Sequence, residues 1–121
     1  MSFIDELVFS PNIPCKVHKM NNRDWLNGYE LAKKSKIPYN KFIDDIGKCE
    51  ERLLNKGYSL EEIRKDFFYY YLDDDYNVIT FLTLKGCETL IVGKRSNKYI
   101  TFKALYKEAF ELNSIVPPKM Y

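Results

Sequence analysis

A chain of 121 residues with 45% hydrophobic and 16% aromatic content carries enough apolar mass for one packed core, which argues against disorder. Cys15, Cys49 and Cys87 are odd in number and widely spaced with no CxxC pair. They read as reduced thiols, and a zinc site would need the single His18 plus all three. The net charge of +2 implies no partner by itself. No run approaches the roughly 20 apolar residues of a membrane span. MSFIDELVFS has acids where an export signal has bases, so a cytoplasmic, membrane-free protein is expected.

The distribution of charge says more than its sum. Residues 16–57 carry ten positive and six negative charges, residues 58–77 two and six, and residues 94–107 five and none. Two basic segments therefore flank an acidic one.

Residues 1–14 hold two prolines and read as an N-terminal arm. Cys15 to Met20 alternates apolar and polar residues, a short strand pattern, and Asn21–Asp24 reads as a turn. Asn27, with Glu30 three residues on, is a variant capping box that opens a first helix. Pro38 in SKIPYN marks a turn and a new helix start. The second helix runs over about 38–54, with Phe42, Ile46, Cys49 and Leu53 on one stripe and Gly57 as its stop. Ser59 and Glu62 form a capping box for a third helix over roughly 60–67.

FFYYYLDDDYNVITFLTL has the composition of a β-hairpin with a polar turn, and strands are placed near 68–72 and 77–82. Thr83 caps a short helix to about Val92, with Leu84, Cys87, Leu90 and Ile91 inward and Gly93 as the stop. Ser96 or Asn97 caps a last helix over about 98–112. Phe102, Leu105, Ala109 and Leu112 form its stripe, and Tyr99, Tyr106 and Phe110 widen it. Pro117–Pro118 ends regular structure. Helix, tight turn, helix and then a hairpin is the order of a winged helix-turn-helix. The expectation is one α+β domain over 15–113, winged helix-turn-helix-like, with a small β-hairpin, two C-terminal helices and a tail over 114–121.

The C-terminal half, TFLTLKGCETLIVGKRSNKYITFKALYKEAFEL, resembles the Rha family of phage regulatory proteins. The likeness runs through Leu82, Thr83, Lys85 and Gly86 at a helix start, Gly93 at a stop, and Tyr106, Ala109 and Phe110 in the last helix. NGYELAKKSKIPYNKFIDDI matches the family's helix-turn-helix segment through Glu30, Leu31, Ala32 and Ile46, so the resemblance covers about residues 25–113. It implies a phage or prophage regulator that binds DNA and is not an enzyme. Three departures remove positive charge. Lys36, Ile37 and Tyr39 replace the family's Gly-Lys and His at the turn. Asp44 and Asp45 replace an acid beside a base. Asp73, Asp74 and Asp75 stand where the wing commonly carries Gly and a base.

Phosphate neutralisation supplies most DNA affinity, and polar side chains in a groove read sequence. The candidates are Lys33, Lys34, Lys36, Tyr39, Asn40, Lys41, Lys48, Lys94, Arg95 and Lys98. Asn40 and Lys41 open the second helix, where a recognition helix meets base edges. The competing account is a solvated lysine-rich face. Asp73, Asp74 and Asp75 suit a solvated turn better than a metal site, because consecutive aspartates point apart. They also suit a phosphate mimic: with Asp44 and Asp45 they define the alternative function, a protein-binding antagonist acting as an antirepressor or on a host nucleic-acid machine. Tyr69, Tyr70, Tyr71 and Tyr76 are candidates for base stacking or for core packing. No Gly-rich phosphate loop, HExxH or GxSxG is present, so no catalysis and no cofactor is expected. Expected partners are double-stranded DNA, a host or phage regulatory protein, and a second copy through the C-terminal helix. No local interaction explains the crowding of Lys94, Arg95 and Lys98, and an anionic partner is the simplest functional account.

Overall fold

Asn21 and Asn22 both lie at positive φ, 51° and 61°. Two-residue hairpin loops favour that left-handed pair, and asparagine tolerates it better than most side chains. The computed structural model describes residues 15–115 and opens on the resulting hairpin. β1 (Val17–Met20) runs antiparallel to β2 (Arg23–Asn27), with Val17 opposite Leu26 and His18 opposite Trp25. The expected arm over 1–14 and the Pro117–Pro118 stop lie outside the described residues.

β2 is not marked in the sequence pattern, and Asp24, expected in a turn, lies within it. The strand is central, and Trp25 and Leu26 are both fully buried. Neighbouring strand residues point to opposite faces, so burial on both faces erases the alternation that marks a half-buried strand.

α1 (Gly28–Lys34) begins where Asn27 Oδ1 accepts from the N–H groups of Tyr29 and Glu30, at 2.8 and 3.2 Å. Gly28 permits close approach to the sheet: a Cβ there would lie 2.5 Å from the Thr80 carbonyl oxygen. After a turn through Lys36 (φ 61°), α2 (Tyr39–Asn55) buries Phe42, Ile46, Cys49 and Leu53, and Gly57 follows its end at φ 101°. Each such buried side chain contributes about 1.5–3 kcal/mol relative to exposure. α3 (Leu60–Asp66) starts at a complete capping box: Ser59 Oγ accepts from Glu62 N at 3.1 Å, and Ser59 N donates to Glu62 Oε1 at 2.8 Å.

β3 (Phe68–Leu72) and β4 (Val78–Leu82) pair with Tyr70 opposite Thr80. Thr83 then caps α4 (Leu84–Leu90) through Gly86 N, and its hydroxyl donates to the Asp66 carbonyl at 2.5 Å. α5 (Asn97–Ile115) closes the described chain.

The architecture is α+β: one four-stranded antiparallel sheet in the order β1-β2-β4-β3 and five helices among the described residues. Val17, Leu26, Leu82 and Phe68 lie in register on one sheet face and join the helices in the core. On the other face His18 meets Phe81 edge-on at 5.3 Å, and Trp25 lies 5.9 Å from Tyr69.

Two helix faces differ from expectation. Leu84 is 41% exposed and Leu112 47% exposed. α5 instead buries Tyr99, Phe102, Tyr106, Ala109 and Phe110, a face rotated toward the aromatic positions. α5 also continues through Ile115, so residues 114 and 115 belong to the helix and not to the tail.

Candidate nucleic-acid interface

Asp45 lies on the buried stripe of α2, three residues after Phe42 and four before Cys49, and its side chain is only 2% exposed. A buried carboxylate needs partners. Tyr99 Oη donates to Oδ2 at 2.6 Å, Lys94 Nζ stands 3.2 Å from Oδ1, and Lys41 Nζ stands 3.4 Å from Oδ2. Burial pushes the Asp45 carboxyl up. The Tyr99 and Lys94 hydrogen bonds and the charges of Lys94 and Lys41 outweigh it and hold the group below its usual range. Burial and the Asp45 carboxylate push the Tyr99 phenol up. Lys94 also lies over the Tyr99 ring, 5.6 Å from its centroid.

This arrangement explains one charge of the 94–98 loop. Lys94 is 26% exposed at its side chain and is the counter-ion of a buried acid, whereas Arg95 and Lys98 are exposed. The Asp45 clamp ties the loop to the first half of α2. Beside it a cleft of about 330 Å³ is lined by Ile37, Pro38, Lys41 and, from the other segment, Ser96, Asn97, Lys98 and Tyr99. Residues from the starts of two long helices thus face one hollow. Helix starts carry unsatisfied N–H groups and a positive dipole end, and Lys98 adds charge where the dipole alone disfavours it.

Lys41 and Lys98 are the cations that line the cleft, and further exposed cations lie before and along α2. Lys36 is exposed, Lys41 is 61% exposed, and Lys48 is 67% exposed with Asp44 at 3.3 Å. Asn40 is exposed, and its Oδ1 accepts from Lys41 N at 2.9 Å.

Other expected contact residues are used inside the protein. The Lys34 side chain is fully buried with its Nζ 3.5 Å from Glu30 Oε2, which takes it off the surface. Tyr39 Oη donates to the Val78 carbonyl at 3.1 Å and accepts from Thr80 N at 3.4 Å, so it ties α2 to the hairpin. Lys33 Nζ lies 5.9 Å from the Tyr29 ring centroid.

The acids divide in the same way. Asp45 is buried and therefore absent from any protein-facing surface, while Asp44 is 64% exposed. Asp73 shapes the hairpin turn, its Oδ1 accepting from Asp75 N at 2.9 Å and Asn77 N at 2.8 Å. Asp74 and Asp75 are exposed, beside Tyr76 at φ 63° and 81% exposure. Tyr70 packs under Arg64 at 4.2 Å, Tyr69 is half-buried, and Tyr71 is 48% exposed.

Tyr99, expected only to widen the apolar face of the last helix, donates to Asp45, and Ser96 and Asn97, expected as caps, are cleft walls. One signal was present: Asp45 shares the helical face of Phe42, Ile46 and Cys49, where an acid requires a buried partner. Among the described residues no helix is long and apolar enough to cross a membrane. Compared with family models, curated proteins and solved structures, the chain matches none.

Proposed function

We propose that this chain is a DNA-binding regulator of phage or prophage type, built as a winged helix-turn-helix variant of the Rha kind. α1 and α2 with the turn at 35–38 supply the helix-turn-helix, and β3–β4 supplies the wing. One observation carries the reading: Lys41 and Lys98, from segments far apart in sequence, line one cleft, and Lys94 binds Asp45 beside it. Lys36, Lys41, Lys48, Arg95 and Lys98 then neutralise backbone phosphates, and Asn40 at the start of α2 reaches toward base edges. Lys34 and the Tyr39 hydroxyl have no part in it, being held inside the protein.

The test is titration of a labelled duplex at several salt concentrations. The expected log–log slope is −0.9 per neutralised phosphate, about −4.5 if all five cations act. Absence of binding at low salt would sink the reading, and tight binding that ignores salt would rule out this mode. The hairpin favours a second reading, a protein-binding antagonist. Asp74, Asp75 and Tyr76 form an exposed acidic and aromatic tip where a DNA-facing wing would carry bases. Capture from host lysate with and without nuclease separates the two: a partner lost on nuclease treatment supports DNA, one retained supports the antagonist.

A further inference from the structure

β3 is an edge strand: among the described residues its one strand neighbour is β4. Its sequence, FYYYL, contains no proline and no charge. Both are devices that keep sheet edges from pairing with other chains. The opposite edge, β1, is shorter and carries Lys19, whose side chain is 68% exposed. Tyr71 and Leu72 on β3 are 48% and 56% exposed. The far half of the strand is therefore apolar, unprotected and open.

Charge is polarised along this edge. At the start of β3, the last turn of α3 presents exposed Lys65, Arg64 there being paired with Glu50 and packed over Tyr70, and Lys85 lies over the Phe67 ring at 4.9 Å. Asp66 at the same end is neutralised by Arg23 at 2.9 Å. At the other end stand Asp73, Asp74 and Asp75.

We propose that β3 pairs with β3 of a second copy, antiparallel and about a two-fold axis near Tyr70, joining the two sheets into one. Antiparallel pairing brings the acidic end of each strand to the basic start of the other. Parallel pairing would set acid against acid. A five-residue strand spans about 17 Å, which keeps the two acidic tips at opposite ends of the shared edge. Centred on Tyr70, the register sets Tyr71 across from Tyr69 of the second copy and brings Asp75 toward its Lys65. Aromatic cross-strand pairs of this kind stabilise sheets.

α5 offers a poorer surface for self-association. It buries Tyr99, Phe102, Tyr106, Ala109 and Phe110 in its own core, and its exposed Ile100 and Leu112 are about 18 Å apart along the helix.

The inference does not rest on DNA binding, because association is measured on the full chain without nucleic acid. Sedimentation velocity across the micromolar range should show a reversible dimer. Tyr71→Lys with Leu72→Lys places charge on the edge and should weaken dimerisation about tenfold or more. Lys65→Glu and Asp75→Lys should each weaken it several-fold, and the two together should restore it. The charge-reversal pair keeps the test decisive if the strand variant fails to fold. A monomer at every concentration would overturn the proposal. So would a dimer that ignores both the edge lysines and the charge reversals.

Discussion

The basic loop at 94–98 and the acidic turn at 73–75 are built on the same plan with opposite sign. Each crowds three like charges at a bend. In each, one charge is structural and two face solvent: Lys94 against Arg95 and Lys98, Asp73 against Asp74 and Asp75. The anchors differ in range. Asp73 binds the N–H groups of its own turn, whereas Lys94 binds Asp45 on a distant helix, which also holds Tyr99 of α5. A local anchor shapes only its loop. A tertiary anchor couples a loop to two helices, so damage there should spread through the fold.

The largest expected effect on stability is at Asp45. Asp45→Ala leaves the Tyr99 hydroxyl and the Lys94 ammonium without their acceptor and should cost on the order of 2–3 kcal/mol. Asp44→Ala, one residue away on the exposed side, should cost less than about 0.5 kcal/mol. Urea midpoints with unchanged slopes measure both. Equal costs would erase the distinction between anchored and free acids.

The same carboxylate sets a pH dependence. Its folded pKa is lowered from the ordinary value of about 3.9, so its stabilisation is present above that value and is lost as pH falls through the folded value. Asp45→Asn should flatten the acid limb of a stability-against-pH curve below about pH 4. An unaltered acid limb would show that Asp45 does not carry it.

Asp73→Ala should cost about 1 kcal/mol, because two turn N–H groups lose their acceptor but gain water. Faster amide exchange at Asp75 and Asn77, with α2 and α5 unaffected, is the expected signature. Exchange spreading into those helices would mean that the turn is not a local unit.

The smallest stability effect belongs to Arg95→Glu with Lys98→Glu, within about 0.5 kcal/mol. Lys94 is left intact, since a glutamate there would face the buried Asp45. This pair should keep the wild-type urea midpoint yet lose most duplex affinity at moderate salt. Retained affinity in the folded variant would return the loop to solvated surface.

What the sequence determined by itself is what neighbours within a few residues can decide. Asn27, Ser59 and Thr83 cap helices because their side chains reach N–H groups two or three positions on. The α2 stripe was legible for the same reason, since its period of 3.6 is local, and the β3–β4 hairpin was legible in the aromatic and β-branched composition on both sides of a polar turn. Tertiary structure decided the rest. β2 is a strand because β1 and β4 flank it and both its faces are covered. The face that α5 buries was set by what it packs against, not by the best spacing of its aliphatic residues. Whether a charge is a contact or a fastener depended on burial: Lys34, Asp45 and Lys94 became fasteners because desolvated charges demand partners. Lys36, Arg95 and Lys98 remained on the surface, where water satisfies them.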